Sequence, residues 1–333
     1  MIVVGIESSA HTFGVGVVTD NEENFILADE RVQYIPKHGG IHPRESSRFL
    51  AEKAPQILKN AFAKSSLNPL NIDAVAVALG PGLGPCLRVG ATIARTLSAY
   101  LNKPLVPVNH AVAHVEIGLK LTGLKDPVTV YLSGGNTAII AYLDKRYRVF
   151  GETLDIALGN LLDTFAREAG LGPPYVVGGL HVVDRCAEEG KKILPDFPYV
   201  VKGQDIAFSG LLTTALRALK RGVDLNDICL TLREIAYNSV LEVSARCLMH
   251  TRKKEIMLVG GVAASPILKD KFIEMAKIYN ASIGVVPPQY AVDNGVMIAW
   301  TGLLGFKAGL SIDLKSAIVK QRWRIDEVDI LWR

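Results

Sequence analysis

Short apolar runs alternate with longer amphipathic segments along most of this 333-residue chain. Runs of about five to seven apolar residues, bounded by glycine or polar residues, predict buried strands. Apolar residues at helical spacing predict helices between them, as where Leu50, Ala54, Leu58 and Ala61 fall on one helical face. The alternation of the two patterns predicts an α/β protein.

The predicted elements form two successive sets. The first set has strands at 2–6, 13–18 and 25–33, a helix over 43–63, a strand at 74–79, a helix over 88–101 and a strand at 104–108. The second has strands at 128–132, 138–143 and 148–154, helices over 159–169 and within 205–253, a strand at 255–259, a helix from about 266, a strand at 283–286 and a helix over 293–306. Each set opens with a hairpin that has a polar tip, near residue 8 and near residue 133. We therefore predict two α/β lobes, 1–125 and 126–333, and expect the C-terminal helix or tail to return to the first.

Composition narrows the class of protein. Hydrophobic residues make up 49% of the chain, enough to bury large cores, yet no apolar run approaches the ~18 residues of a membrane span. The four cysteines are scattered without a CxxC pair, so we expect neither a disulfide framework nor a thiolate zinc site. The N-terminus lacks signal-peptide features, which favours a cytoplasmic protein. A net charge of +4 is compatible with a nucleic-acid partner without requiring one.

The stretch from Asn109 to Glu116 carries the first candidate chemistry. It follows the strand at 104–108, and if the chain becomes helical there, His110 and His114 lie on one helical face. Two imidazoles in that arrangement suit a transition metal such as zinc or iron. The alternative for the pair alone is an ordinary helix with two surface histidines.

Glycine-rich segments follow three predicted strands, at Gly80–Pro85, Ser133–Thr137 and Gly260–Ser265. The carboxyl edge of an α/β sheet binds ligands, and glycine there lets backbone N–H groups approach a phosphate. Together with the two hairpin tips, these loops favour nucleotide binding over simple turns.

Taken together, these motifs resemble those of one family, the archaeal and eukaryotic tRNA threonylcarbamoyltransferases, which are the catalytic subunits of the KEOPS complex and relatives of bacterial TsaD. The matching stretches cover nearly the whole chain: 5–12, 37–44, 80–90, 109–114, 131–137, 151–155, 208–213 and 260–264. The resemblance implies the two-lobed fold of the actin, Hsp70 and sugar-kinase superfamily, called ASKHA, with a nucleotide cleft between the lobes.

The resemblance also implies roles for individual residues. One transition metal, iron or zinc, is expected on His110, His114, Tyr131 and Asp293. Asp163 matches the family's acidic contact to the nucleoside ribose. The residues expected to contact threonylcarbamoyl-AMP or ATP are Ser9, Tyr131, Ser133, Gly134, Gly135, Asn136, Asp163, Gly178, Asp184, Gly261 and Ser265. Separately from the resemblance, Glu7 is a candidate general base because it lies at the first polar tip.

Two stretches depart from the family pattern. The usual Gly-Gly-Pro-x-x-Glu reads Gly178-Gly-Leu-His-Val-Val-Asp184, so the proline is lost and the acid is displaced by one position. Ser265 stands where many relatives have asparagine, and its side chain reaches less far. The resemblance therefore implies nucleotide contacts from Asp184 and Ser265 with side chains that differ from those of the family.

The implied reaction joins a threonylcarbamoyl group to the exocyclic amine of the adenosine beside the tRNA anticodon. Family members work with a small atypical kinase/ATPase and small accessory subunits, which we expect in trans. The alternatives are a small-molecule kinase or ATPase of the same superfamily, or a non-catalytic ATP-binding scaffold. A metalloprotease, as the family was formerly described, is disfavoured because Ala111 replaces the glutamate of His-Glu-x-x-His.

Overall fold

A computed structural model describes residues 1–36 and 40–333. The motif at 37–44 therefore lies partly outside the described residues, because 37–39 are not among them. From the N-terminus the elements are β1 (Ile2–Glu7), β2 (Thr12–Thr19), β3 (Ile26–Gln33), α1 (Pro43–Ser65), β4 (Ala74–Gly80), α2 (Gly84–Leu101), β5 (Leu105–Asn109) and α3 (His110–Thr122).

The chain continues through a longer second series. It contains β6 (Val128–Leu132), β7 (Thr137–Leu143), β8 (Arg146–Glu152), α4 (Leu158–Glu168), β9 (Val176–Val177), β10 (Leu180–His181), α5 (Val182–Glu188), β11 (Val201–Lys202), β12 (Asp205–Ile206), α6 (Ser209–Lys220) and α7 (Leu225–Thr251). It ends with β13 (Glu255–Val259), α8 (Pro266–Ile278), β14 (Ser282–Val285), α9 (Pro288–Ala291) and α10 (Gly295–Lys307).

The predicted strands all occur, with small shifts at their ends. Helix α2 begins at Gly84 rather than near residue 88, and Pro85 is suited to that first helical turn. Two short hairpins, β9–β10 and β11–β12, were not predicted, because strands of two residues are too short to produce an alternating pattern.

The described residues divide into two compact units. The first comprises 1–117, 144–147 and 293–333, and the second comprises 118–143 and 148–292. The C-terminal segment thus belongs to the first unit, with the N-terminal strands. The predicted lobes, 1–125 and 126–333, have different bounds from these units and remain a prediction.

The first unit is built on a sheet with strand order β3-β2-β1-β4-β5. Strand β1 is antiparallel to β2 and parallel to β4, and β4 is parallel to β5. Because side chains alternate along a strand, Val4 and Ile6 of β1 join a core with α1 and α2, whereas Gly5 faces α10. The two faces of this sheet are therefore covered by different helices.

The second unit is built on a sheet with strand order β14-β13-β6-β7-β8. Strand β13 is parallel to β14 and β6, and β6 is antiparallel to β7. Its core includes the buried rings of Phe165, Phe208, Tyr237 and Phe272 from α4, the start of α6, α7 and α8. The parallel strands β6 and β13 end side by side, which brings the loops after Leu132 and Val259 together.

A disulfide joins Cys186 of α5 to Cys229 of α7, with their Cα atoms 5.9 Å apart. The scattered cysteines predicted no disulfide framework, and this one bridge is a correction to that expectation. Spacing along the chain does not reveal the pairing, because it depends on the packing of α5 against α7. Cys86 and Cys247 are free and buried. No helix in the described part of the chain combines the length and hydropathy that a bilayer crossing requires.

Candidate functional site

Asn109 makes the chain turn helical where the sequence predicted it. Its side-chain Oδ1 accepts hydrogen bonds from the backbone N–H groups of Ala111 and Val112, at 3.0 and 3.1 Å. Its amide nitrogen donates to the Trp323 carbonyl oxygen at 3.0 Å. Asparagine in this role stabilises a helix start, so β5 passes directly into α3 at His110.

The two histidines of α3 converge as predicted from their spacing. The rings of His110 and His114 lie edge to face with centroids 4.8 Å apart, and both side chains are buried. Asp293 reaches the same point from the residue pair that precedes α10. Its Oδ1 lies 3.5 Å from His110 Nε2 and 3.4 Å from His114 Nε2. All three residues belong to the first unit.

These separations fit a bound transition metal. Ligand atoms about 2.1 Å from a tetrahedral ion lie about 3.4 Å from one another. Two imidazole nitrogens and one carboxylate oxygen form a donor set that zinc and iron accept. In the described part of the chain, one group of potential metal-ligating side chains is compact enough to hold an ion. It consists of His110, His114 and Asp293.

The carboxylates set the protonation of the site. Burial lowers the pKa of His110, but the neighbouring Glu7 and Asp293 carboxylates outweigh burial and raise it to about 9. Burial lowers the pKa of His114. Burial raises the pKa of Asp293, yet the two imidazoles bring it below its ordinary value. A metal binding here would therefore displace a proton from His110, whereas His114 and Asp293 are already in their ligating forms.

Glu7 lies behind His110 and is fully buried. Its Oε2 is 2.9 Å from His110 Nδ1, and its Oε1 accepts a hydrogen bond of 2.5 Å from the Ser9 backbone N–H. A carboxylate in this position directs His110 Nε2 toward Asp293. It also makes the imidazole a stronger electron donor to a metal. In this position Glu7 would orient His110 as a metal ligand, and its role as general base stays a prediction.

We expect Glu7→Gln to weaken metal binding by about 10- to 100-fold, because the neutral amide no longer supports the ligating imidazole. Competition with a chromogenic chelator would measure the affinity. Glu52→Gln, an exposed position on α1, is the matched control. Normal turnover at saturating metal would assign Glu7 to orientation alone, whereas no turnover under that condition would restore it as the base.

The predicted nucleotide contacts lie mainly in the second unit. Gly134, Gly135 and Asn136 form an exposed tip between β6 and β7. The tip is closed by a 2.8 Å hydrogen bond from the Ser133 N–H to the Asn136 carbonyl oxygen. An added Cβ at Gly134 or Gly135 would meet nothing within 4 Å, so their backbone is open to a bound molecule.

The other predicted contacts belong to both units. Gly260 lies against the Leu132 carbonyl oxygen at the end of β6, which places the loop at Gly261 next to the tip. Asp163 lies on α4, and its Oδ1 is within hydrogen-bond distance of His181 Nε2, at 3.1 Å. His181 was not singled out from the sequence, and its only signal is its place in the stretch that departs from the family pattern. Ser9 belongs to the first unit, where its backbone contacts Glu7 and Leu83.

Asp184 and Ser265 are brought together but turned inward. Asp184 is fully buried and accepts hydrogen bonds from the Tyr237 hydroxyl, at 2.9 and 3.0 Å, and from Ser265 Oγ, at 3.0 Å. Burial raises the pKa of Asp184, although these two hydroxyls offset part of that effect. The pair ties α5 to α7 and to the start of α8. Its predicted nucleotide contact stays a prediction.

Tyr131 lies on β6 in the second unit, and 2% of its surface is exposed. Its hydroxyl accepts a 3.4 Å hydrogen bond from the side-chain amide of Asn136. This bond joins the hydroxyl to the polar tip. Its place as a fourth metal ligand also stays a prediction.

Comparison with known proteins now decides the family. A sequence profile of the TsaD family, described as tRNA N6-adenosine threonylcarbamoyltransferase, matches residues 25–300. The chain belongs to this family. A tRNA N6-adenosine threonylcarbamoyltransferase of Hyperthermus butylicus is 60% identical to it, over 99% of this chain and 92% of that protein. The enzyme of the same name from Aeropyrum pernix is 57% identical, over 100% of this chain and 95% of that protein.

Solved structures of distant proteins confirm the predicted ASKHA fold class. HypF of T. kodakarensis superimposes with a TM-score of 0.61 at 16% identity, covering 96% of this chain and 48% of that one. The activator of 2-hydroxyisocaproyl-CoA dehydratase from Clostridium difficile, solved with bound ADPNP, gives a TM-score of 0.52 at 14% identity. That match covers 93% of this chain and 97% of the other. At these identities the likeness establishes the fold alone.

Proposed function

We propose that this chain transfers the threonylcarbamoyl group of threonylcarbamoyl-AMP to the exocyclic amine of the adenosine next to the anticodon in tRNA. The observation that carries the proposal is the cluster of His110, His114 and Asp293, whose ligand atoms lie at metal-binding separations. Membership of the TsaD family supports the reaction and its substrate class.

The reaction forms a bond between the adenosine N6 and the carbamoyl carbon and breaks the bond from that carbon to the AMP phosphate oxygen. AMP leaves with the bonding electrons, and N6 loses a proton. The exocyclic amine is a weak nucleophile, so the donor needs an activated carbonyl and a stabilised leaving group. Zinc or iron held by His110, His114 and Asp293 would supply a Lewis acid that polarises the donor.

The other residues contribute binding and orientation. The exposed backbone at Gly134 and Gly135 offers N–H groups to the phosphate as it departs with its charge. We place Gly261 and Asp163 beside that tip as adenine and ribose contacts, and Tyr131 as a further metal ligand. Glu7 holds His110 in its ligating orientation. These assignments rest on the family resemblance and on the local geometry described above.

We further propose that the chain acts in a KEOPS-type complex in the cytoplasm, with a small atypical kinase/ATPase and small accessory subunits supplied in trans. The mild net charge of +4 supports such an arrangement, because tRNA binding by this chain alone would be weak and salt-sensitive. Co-purification with the predicted subunits and tRNA affinity with and without them would test it.

The decisive assay uses the purified protein, unmodified tRNA, the added partner subunits and threonylcarbamoyl-AMP made from labelled threonine. We expect label to appear in tRNA, at the adenosine beside the anticodon. No label, from protein that binds both metal and nucleotide, would instead favour a kinase or a scaffold. Nucleotide hydrolysis without tRNA would then separate those two alternatives.

A further inference from the structure

His181 and Asp163 form a hydrogen-bonded pair in the second unit. The proposed reaction assigns a role to Asp163 alone. His181 Nε2 lies 3.1 Å from Asp163 Oδ1. The His181 side chain is 11% exposed and that of Asp163 is 44% exposed. The histidine is therefore nearly enclosed, whereas the carboxylate that it contacts remains open to a bound molecule.

The backbone fixes which nitrogen of His181 carries the hydrogen. The Val183 backbone N–H donates to His181 Nδ1 at 3.1 Å, which makes His181 the N-cap of α5. Because an amide N–H only donates, Nδ1 must accept, and the hydrogen of the neutral ring lies on Nε2. His181 Nε2–H then donates to Asp163 Oδ1. Among the described residues, no hydrogen bond reaches the second carboxylate oxygen, Oδ2.

A tight hairpin holds His181 in place. Strands β9 and β10 pair Val176 with His181, and Gly178 and Gly179 form the two-residue turn between them with φ of +62° and +79°. Two positive φ angles in succession define the turn that matches the twist of a hairpin, and glycine adopts them without strain. The turn at Gly178 and Gly179 therefore fixes the position of His181, and Gly178 is also one of the nucleotide contacts that the family resemblance implies.

Asp163 in turn lies on the face of α4 that meets the polar tip. Gly159 is one helical turn earlier, on the same face. An added Cβ at Gly159 would lie 2.7 Å from the Ser133 carbonyl oxygen and 2.8 Å from Gly134 Cα. The Leu158 backbone N–H also donates to Thr137 Oγ1 at 2.8 Å. The tip and the Asp163 carboxylate are thus held on one side of the same helix.

We propose that His181 is a positioning residue, which fixes the Asp163 carboxylate so that Oδ2 accepts hydrogen bonds from the ribose hydroxyls of the nucleotide donor. This inference rests on the proposed function, because it requires a nucleotide at the tip formed by Ser133–Asn136. A carboxylate that is already oriented loses less side-chain freedom on binding, so the contact contributes more to affinity. His181 touches the carboxylate and not the nucleotide.

The test measures binding of AMP and of 2′,3′-dideoxy-AMP, which lacks both ribose hydroxyls, by calorimetry. We would compare the wild type with Asp163→Ala, His181→Asn and the double variant. Asparagine still caps a helix, so α5 keeps its N-cap, but its side chain is too short to reach Asp163. His250→Asn, at an exposed position on α7, is the matched control.

We expect the wild type to prefer AMP, Asp163→Ala to lose that preference, and His181→Asn to reduce it about two- to tenfold, the range for loss of one hydrogen bond. Dideoxy-AMP affinity and the thermal midpoint should stay at the wild-type values in His181→Asn. The double variant should show the same lack of preference for AMP as Asp163→Ala, because both changes act through one contact.

Other outcomes distinguish failure of the proposed nucleotide site from failure of the positioning role of His181. If the wild type does not bind AMP, or if Asp163→Ala keeps the preference, the proposed nucleotide site is wrong. If Asp163→Ala loses the preference while His181→Asn keeps it, the site stands and His181 has no positioning role. Equal weakening of both nucleotides in His181→Asn, or additive effects in the double variant, would also overturn the positioning role.

Discussion

His110→Ala should abolish metal binding and threonylcarbamoyl transfer together. The variant removes one of three ligand atoms and leaves the Glu7 carboxylate buried without the imidazole that it faces. Loss of a supporting partner outside the ligand set already costs 10- to 100-fold, so loss of a ligand should lower labelled transfer at least about a hundredfold. Metal content by elemental analysis and labelled threonine in tRNA are the two measurements.

His250→Ala is the matched control, because His250 is exposed at the end of α7 and belongs to the second unit. It should keep full metal content and full activity. Transfer at the wild-type rate by metal-free His110→Ala would exclude the cluster from the reaction. Loss of transfer with metal retained would instead point to a direct role of His110 toward the substrate.

The histidine pair was predictable because it is a local feature. Asn109 caps the helix, and helical spacing alone then brings His110 and His114 to one face. Asp293 is different, since it comes from the far end of the chain and reaches the histidines only through the packing of α10 on the first sheet. The sequence indicated it through family resemblance, and no local pattern identifies it.

The same distinction explains contacts that the sequence did not reveal. Asp184 lies one position from the family's acid, and its burial against Tyr237 and Ser265 depends on how α5, α7 and α8 pack. The bond between His181 and Asp163 depends on a hairpin too short to leave a pattern. In each case the residue lies in a stretch that the sequence marked. Its hydrogen-bond partner depends on contacts between distant segments, which no local pattern reveals.

Gly5→Ala should destabilise the first unit severely. Residue 5 faces α10, and an added Cβ would overlap the Ala299 backbone nitrogen and lie 2.6 Å from the Gly295 carbonyl oxygen. These atoms belong to backbone, so no side-chain rotation relieves the overlap and the helix must move. We expect a loss of at least about 3 kcal/mol in the free energy of unfolding, the upper end for overpacked cores. Chemical unfolding would measure it.

The same change should also weaken metal binding, because α10 begins two residues after Asp293. Asn294 caps that helix through a 2.9 Å hydrogen bond from the Met297 N–H, so a displaced helix carries Asp293 away from the histidines. Gly210→Ala on α6 is the matched control, since its added Cβ meets only Pro198 Cγ at 3.8 Å. If Gly5→Ala unfolded at the same denaturant concentration as this control, α10 would be seated too loosely to fix Asp293. The three-ligand geometry would then need another explanation.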